Sequence, residues 1–322
     1  MSNQIIFQST IINQDQEFQG ILTSSELIWQ NHRQTTILNL QDLISVSQSL
    51  TTEPQPDLFS LTLNSFPLIK GKRKFREDHF FCLNKETQQQ WFKYLQKSVN
   101  SQIKHLQIIV NSASGRKNHA LILETICLVF SKANLQFTIY KPDHVEKTRN
   151  LIQQINFGAN DGLVIVGGDG TIHDIINALL KRKDLETIRK IPIGIIPSGT
   201  GNGLAKTLLE LAGETDDLIN AAFLIAKGKT QAIDVILTQQ NHDFYYSILS
   251  LSWGLISDVD LESEKLRFLG SLRNDIYAII RIFFLRSYRG KLYFIPAQNW
   301  QINDHFKLKK QDHWYLIEAE FI

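Results

Sequence analysis

The spacing of apolar and polar positions divides the chain into three stretches. In the first, Ile5–Ile11, Gln19–Trp29, Thr36–Val46, Leu58–Ile69 and His79–Leu83 are short, rich in β-branched and aromatic residues, and separated by Gly, Asn, Asp and Pro. That pattern predicts strands. Lys85–Asn100 then takes a helical period, with Trp91, Tyr94, Leu95 and Val99 on one face. After Lys104 strands and helices alternate, the signature of a parallel sheet with crossover helices. Strands are expected at Leu106–Val110, Leu135–Tyr140, Leu163–Val166 and Ile191–Ile196. Helices are expected at His119–Asn134, His144–Ile155, Ile172–Leu180, Leu204–Leu211 and Asp216–Gly228. From Gln231 the pattern changes again. Strand-like Ala232–Leu237 and Phe244–Trp253 precede helical Asp260–Leu269 and Asn274–Ser287, then strand-like Lys291–Ile295 and His313–Ile322. The expected domains are therefore 1–103, 104–231 and 232–322.

One stretch carries most of the chemistry. Leu163–Val166 reads as a strand buried on both faces. Gly167 and Gly168 end it, and a helical pattern follows Asp169-Gly170-Thr171. Asp169 thus lies at the carboxyl end of a parallel strand and before a helix, where open α/β sheets bind ligands. Free N–H groups there attract phosphate; a carboxylate in the same place needs a metal or a catalytic task to explain it. A second glycine turn, Ser198-Gly199-Thr200-Gly201-Asn202-Gly203, follows the strand after it. Two such turns flanking one crossover helix can surround one phosphate chain. The small-residue turn Asn111–Gly115 adds a third loop to the same rim.

Composition narrows the classes. The chain has 322 residues, a formal net charge of +2 and two cysteines, Cys82 and Cys127, each in an apolar run. This does not suggest a nucleic-acid binder, and the cysteines read as reduced core residues of a cytosolic protein. No charged-then-apolar leader begins the chain, and no apolar run approaches the roughly 20 residues of a membrane span. Any membrane contact is therefore expected to be peripheral. There is no P-loop, no protein-kinase His-Arg-Asp or Asp-Phe-Gly, and no zinc-ligand spacing.

Gly-Gly-Asp-Gly-Thr at 167–171 and Ile-Pro-Ser-Gly-Thr-Gly-Asn at 196–202 resemble the diacylglycerol kinase catalytic region shared by lipid kinases. The stretch Leu251–Gly270, with Leu272-Arg273 and Tyr288–Leu292, is similar to sphingosine kinases in particular. The resemblance spans roughly residues 105–322. It implies a phosphofructokinase-like, Rossmann-like α/β nucleotide-binding domain followed by an antiparallel β-rich lipid lobe. It also implies transfer of the γ-phosphoryl of ATP to a primary lipid hydroxyl, the acceptor being a sphingoid base such as sphingosine. Mg²⁺ would be held mainly by ATP, with no protein metal site assigned.

Residue by residue, the resemblance makes Asp169 the general base, with Asp174 and Asn177 one and two helical turns on. Asp174 stands where the family has a glutamate, and its other reading is a helix-dipole charge. Nucleotide contacts fall to Asn111, Ser114, Gly115, Gly168, Gly170, Thr171, Ser198, Gly199, Thr200, Gly201, Asn202, Arg267 and Arg273. Asp260, with Ser250 and Ser252, falls at the lipid head group; alternatively Asp260 is an N-cap for Leu261–Leu269. The family usually has Asn-Pro at the first turn, where this chain has Asn111-Ser112, and a threonine near Lys141-Pro142.

Between Lys265 and Lys291, Arg and Lys face a single acid, Asp275, an excess that suits a wall facing phosphates. Arg281, Arg286 and Arg289 match no family position and read as surface. Ile276, Ile279, Ile280, Phe283 and Phe284 form a stripe that either packs into a core or lines an acyl pocket.

The strands of 1–103 with their Trp-bearing helix resemble a pleckstrin-homology-like domain. The basic run Lys70-Gly71-Lys72-Arg73-Lys74-Phe75-Arg76 in it is a contact with anionic lipid headgroups or a solvated loop, and the solvated loop is the commoner case. The family continues well past this chain's last residue, so the β-rich lobe is expected to be incomplete. The alternatives are a diacylglycerol kinase or other lipid kinase of the superfamily, less readily an NAD kinase, and an inactive truncated lipid-binding module.

Overall fold

A computed structural model describes residues 4–50, 59–99, 102–111, 119–199, 201–270, 272–295, 309–311 and 314–322. It has two compact units, Met1–Leu249 and Ser250–Ile322.

The first unit opens with β1 (Phe7–Asn13), β2 (Gln16–Leu22), β3 (Glu26–Gln30), β4 (Thr35–Asn39), β5 (Leu43–Leu50), β6 (Phe59–Ser65), β7 (Leu68–Ile69), β8 (Lys72–Arg73) and β9 (Arg76–Cys82). Seven of these form one antiparallel sheet, β4-β3-β2-β1-β9-β6-β5. Three of the expected strands are each divided. Thr23 accepts from the Glu26 N–H and turns β2 into β3, Asn39 caps a short 3₁₀ turn between β4 and β5, and β7 parts from β6 to pair with β8 instead. Helix α1 (Lys85–Ser98) closes the sheet. Asn84 caps it, accepting from Thr87 N–H, and Trp91 is buried with its Nε1 donating to Ser9 Oγ at 2.8 Å. Burial in this core pushes the Cys82 thiol up to about 11, so it behaves as a small hydrophobe.

A four-stranded parallel sheet follows: β10 (His105–Val110), β11 (Gln136–Tyr140), β12 (Asp161–Gly167) and β13 (Ile193–Pro197), in the order β11-β10-β12-β13. Alternation along its strands sorts the side chains. Leu106, Ile108, Val110, Val164, Val166 and Ile196 pack with α2 (His119–Lys132) and α7 (Leu218–Lys227). Ile109, Leu163, Ile165 and Ile195 pack with α3 (Val145–Gln154), α4 (Asp169–Leu180), α5 (Leu185–Ile188) and α6 (Gly203–Leu211). Helices therefore cover both faces, the arrangement that lets a parallel sheet be apolar throughout. The chain leaves β10 toward β11 and returns at β12 on the other side. That reversal puts the topological switch point between β10 and β12.

The hairpin β14 (Ile236–Gln240) and β15 (Asp243–Ser247) also belongs to this unit. Asn177 of α4 donates to the Tyr246 carbonyl at 2.8 Å and accepts from its N–H at 2.9 Å, holding the hairpin to the helix.

Within this unit a buried charge cluster links the antiparallel sheet to the parallel one. Arg73, from the basic run, donates to Asp42 and to the Phe66 carbonyl, both at 2.6 Å, and to Glu214. Its guanidinium lies 3.7 Å over the Phe223 ring. Asn220 accepts from the Arg73 N–H and donates to the Gly71 carbonyl. One residue of the supposed solvated loop is therefore an internal anchor, because three acceptors and a ring satisfy its charge.

The second unit contains α8 (Leu255–Ser263), α9 (Leu272–Phe283) and a sheet β16-β18-β17 from β16 (Tyr288–Phe294), β17 (Lys309–Gln311) and β18 (Trp314–Phe321). Asp260 is mid-helix, and the N-cap position of α8 is Gly254. The N-cap reading of Asp260 is thereby corrected, since the helix already begins at Leu255 and runs through Asp260 without a break. Arg281 is corrected too: it is 5% exposed and pairs with Asp258 at 3.5 Å. The stripe on α9 is open, with Phe283 79% and Phe284 71% exposed.

Candidate functional site

The two glycine turns meet backbone to backbone. A Cβ on Gly199 would come 2.6 Å from the Gly168 Cα, and one on Gly168 would come 3.0 Å from the Gly199 Cα. Only residues without a side chain allow this approach. Continued pairing positions the turns, because β12 and β13 run in register to Gly167 opposite Pro197, and Ser198 N–H still donates to the Gly167 carbonyl at 3.3 Å.

Asp169 is the first residue of α4, after the N-cap Gly168. Its carboxylate reaches across to the second turn, where Oδ2 accepts from Gly203 N–H at 2.9 Å and Oδ1 from Leu204 N–H at 3.3 Å. It therefore caps α6 from outside that helix. A Cβ at Gly201 would lie 3.2 Å from Oδ2, so glycine there leaves the carboxylate its place. Asp169 remains partly accessible, so the same group can meet a ligand.

Asn202 braces the second turn. It is 5% exposed with a left-handed φ of 54°. Its Oδ1 accepts from Gly199 N–H at 2.9 Å and its Nδ2 donates to the Gly199 carbonyl at 2.8 Å. Its side chain therefore shapes the loop, a role that phosphate-loop reasoning missed. An Asn three residues after a turn glycine is the signal that could have shown it. Ser198 is 1% exposed, and its Oγ has no hydrogen-bond partner among the described residues. A buried hydroxyl at a strand's carboxyl end with no protein partner is free to bond water or a polar ligand. Nothing lies within 4 Å of a Cβ built at Gly170, so the space over this turn is open.

Asn111, at the end of β10, donates from Nδ2 to Thr171 Oγ1 at 2.8 Å. This ties the first loop to α4 across the switch point. The structure thus brings together Asn111, Gly168, Asp169, Gly170, Thr171, Ser198, Gly199, Gly201 and Asn202. Ser114, Gly115 and Thr200 lie outside the described residues, as does the Arg267 side chain. Asp174 pairs with Arg149 at 2.8 Å, and Asn177 is committed to Tyr246.

In the second unit Asp260 is exposed, and its carbonyl accepts from Ser263 Oγ. Ser250 and Ser252 are exposed as well. The basic excess counted along the sequence is met by acids outside the counted window. Arg273 pairs with Glu264 at 2.6 Å, Arg286 with Glu262 at 2.8 Å, and Arg289 with Glu320 at 3.0 Å. Linear counting could not see these partners because they precede the window or lie far beyond it on β18.

Residues 105–238 match the family described as the diacylglycerol kinase catalytic domain. The chain is 38% identical over 199 residues to sphingosine kinase 1 of Arabidopsis thaliana, covering 62% of this chain and 41% of that protein. It is 33% identical over 197 residues to sphingosine kinase 1 of Homo sapiens, covering 59% of this chain and 51% of that protein. A solved diacylglycerol kinase structure from Bacillus anthracis aligns at 23% identity over 45% of this chain and 46% of that one. The TM-score of that alignment is 0.37. The chain thus spans about half or less of the length of these curated relatives.

Proposed function

We propose that this chain, which is sphingosine kinase-like and carries a diacylglycerol kinase catalytic domain, serves ATP-dependent phosphorylation of the primary hydroxyl of a sphingoid base. The observation that carries the reading is a carboxylate, Asp169, held between two touching glycine turns at the switch point of a parallel sheet. The residues present fit a nucleotide. The Gly168–Gly199 cradle would be filled by any Cβ, the Ser198 hydroxyl awaits a partner, and the space over Gly170 is open.

In this reading Gly168, Gly170, Gly199 and Gly201 let backbone N–H groups approach the phosphates, and Ser198 and Thr200 add hydroxyl donors. Asn202 keeps the second turn in shape, and Asn111 with Thr171 fixes the first loop; Ser114 and Gly115 complete that loop by resemblance. ATP with Mg²⁺ supplies the phosphoryl group and neutralises its charge. By the same resemblance the Mg²⁺ would be held mainly by ATP, with no protein metal site assigned. Asp169 takes the proton of the acceptor hydroxyl as that oxygen bonds to the γ-phosphorus and the β–γ bridging oxygen leaves with ADP. Arg267 and Arg273 take nucleotide roles by resemblance, and Asp260, Ser250 and Ser252 lipid head-group roles. Asp174 and Asn177 support α4 through Arg149 and the Tyr246 backbone.

The same reading takes 1–103 as a pleckstrin-homology-like domain, supported by seven antiparallel strands closed by α1. It takes 104–231 as the catalytic domain and 232–322 as part of a β-rich lipid lobe. The protein would act at a membrane surface from the cytoplasm. Among the described residues no helix is long and apolar enough to cross a membrane.

A lipid panel with labelled ATP tests the acceptor. Sphingosine should be phosphorylated and diacylglycerol should not. Labelling of diacylglycerol alone would reassign the substrate, and labelling of neither would leave a lipid-binding module.

A further inference from the structure

The basic run between β6 and β9 is sorted by the fold into an inward and an outward set. β7 and β8 pair Leu68 with Arg73 and Ile69 with Lys72, so Lys70-Gly71 is a two-residue turn. Both turn residues are left-handed, Lys70 at φ 51° and Gly71 at φ 78°. That is a type I′ turn, whose first position favours Asn, Asp or Gly. A lysine there carries backbone strain that an asparagine would relieve. The position therefore holds a cation at the tip at some structural cost.

Successive side chains of a strand point to opposite faces. Arg73 points inward to Asp42 and Glu214, and Lys72 and Lys74 point outward and are exposed. Beside them Leu68 is 43% and Ile69 44% exposed. Thr215 Oγ donates to the Gly71 carbonyl, and Asn220 binds both Gly71 and Arg73. The turn at Gly71 and the strand at Arg73 are thus tied to the α6–α7 segment, while Leu68, Ile69, Lys70, Lys72 and Lys74 stay exposed. Two acids stand nearby: Asp217 lies 3.9 Å from Lys72, and Asp216 lies 4.0 Å from Lys206. Among the described residues neither Lys70 nor Lys74 forms an ion pair.

We propose that the Leu68–Lys74 hairpin is a docking surface for an anionic lipid bilayer. Lys70, Lys72 and Lys74 would meet the headgroups, and Ile69, which lies opposite Lys72 on the outward face, would sit at the acyl boundary. Charge complementarity argues for an anionic partner. The exposed Ile69 beside the lysines argues for a bilayer over a nucleic acid, whose phosphates offer nothing to an isoleucine. A turn already fixed by Thr215 and Asn220 lowers the ordering cost of binding. The surface lies in the first unit and makes no use of the residues assigned to phosphoryl transfer, though its purpose rests on the lipid-kinase reading.

The test is co-sedimentation of the full chain, without nucleotide, with vesicles of phosphatidylcholine alone or mixed with phosphatidylserine. The variants are Lys70→Asn/Lys72→Gln/Lys74→Gln and, separately, Ile69→Ser. Lys70→Asn suits the turn, so unchanged thermal unfolding is expected to show that the fold survives. The wild-type chain should bind the mixed vesicles, more weakly as salt rises. Each lysine near such a surface is worth about fivefold in partitioning, so the triple variant should bind at least tenfold more weakly. Ile69→Ser should weaken binding with no change in salt dependence. Equal binding by wild type and triple variant, or no preference of the wild type for phosphatidylserine, would overturn the proposal. So would a lysine-dependent affinity for single-stranded DNA that exceeds the affinity for the vesicles. Turnover of micelle-dispersed sphingosine, measured in parallel, should be the same for wild type and variants. Failure of the kinase reading would appear there, and failure of docking only in sedimentation.

Discussion

The carboxylate of Asp169 accepts from the Gly203 N–H at 2.9 Å, so the first residue of α4 caps α6. One side chain is thus asked both to hold two loops in register and to face the ligand space. The two tasks separate by substitution. Asp169→Ala removes the cap and should lower stability by about 1 kcal/mol. Asp169→Asn keeps an oxygen for Gly203 N–H and should unfold within about 0.5 kcal/mol of wild type. Denaturant titration of both variants checks this.

The contact of Gly168 with Gly199 makes a sharper steric prediction. Gly199→Ala forces the new methyl against the Gly168 Cα at 2.6 Å, so the turns must separate. ATP affinity, read by calorimetry, should fall at least about tenfold. Gly170→Ala meets nothing within 4 Å and should leave the fold as stable as before. If phosphate occupies the open space over this turn, it too will weaken ATP binding.

Arg73 and Glu214 form a buried pair, their side chains 9% and 3% exposed. Arg73→Ala strands the Glu214 carboxylate and should cost about 3–5 kcal/mol. Arg73→Leu combined with Glu214→Leu removes both charges and should cost clearly less than Arg73→Ala. A double variant as unstable as the single one would contradict the stranded Glu214 charge as the source of the loss.

Lys227 gives a pH signature. Its Nζ donates to the Leu43 carbonyl at 2.9 Å and the Ser98 carbonyl at 3.2 Å. Burial, and then repulsion from Lys229, lowers its pKa from 10.5 to about 8. In the window between those values the unfolded chain keeps a proton that the folded chain has released, so stability rises with pH. Below it both states are protonated and the burial penalty is fully present. Relative to Lys227→Met, the wild type should therefore gain stability from about pH 8 upward. Parallel stability curves across that window would contradict the burial of this amine.

The parallel sheet was legible in the sequence because short, largely apolar runs, unbroken at Leu163–Val166, alternate with stretches of helical period. The glycine turns were legible because close backbone approach and phosphate binding both need glycine. Other features depend on partners distant in sequence. Arg73 looks like any cation in a basic run until Glu214 and Asp42 are placed beside it. Asn177 looks like a ligand-facing polar residue until Tyr246 takes both ends of its amide. Arg281 reads as surface because Asp258, which pairs with its charge, is on another helix. The divided strands were hidden by turns with little glycine or proline: Thr23 and Asn39 direct them with side-chain hydrogen bonds.

The role of Asp169 as base is tested most directly by single-turnover phosphorylation of sphingosine with Asp169→Asn, alongside its ATP affinity. Loss of a positioned general base typically lowers the rate by about 10²–10⁴-fold. A drop of that size with ATP affinity within about twofold of wild type is expected. Near-normal turnover by the asparagine variant would contradict the assignment.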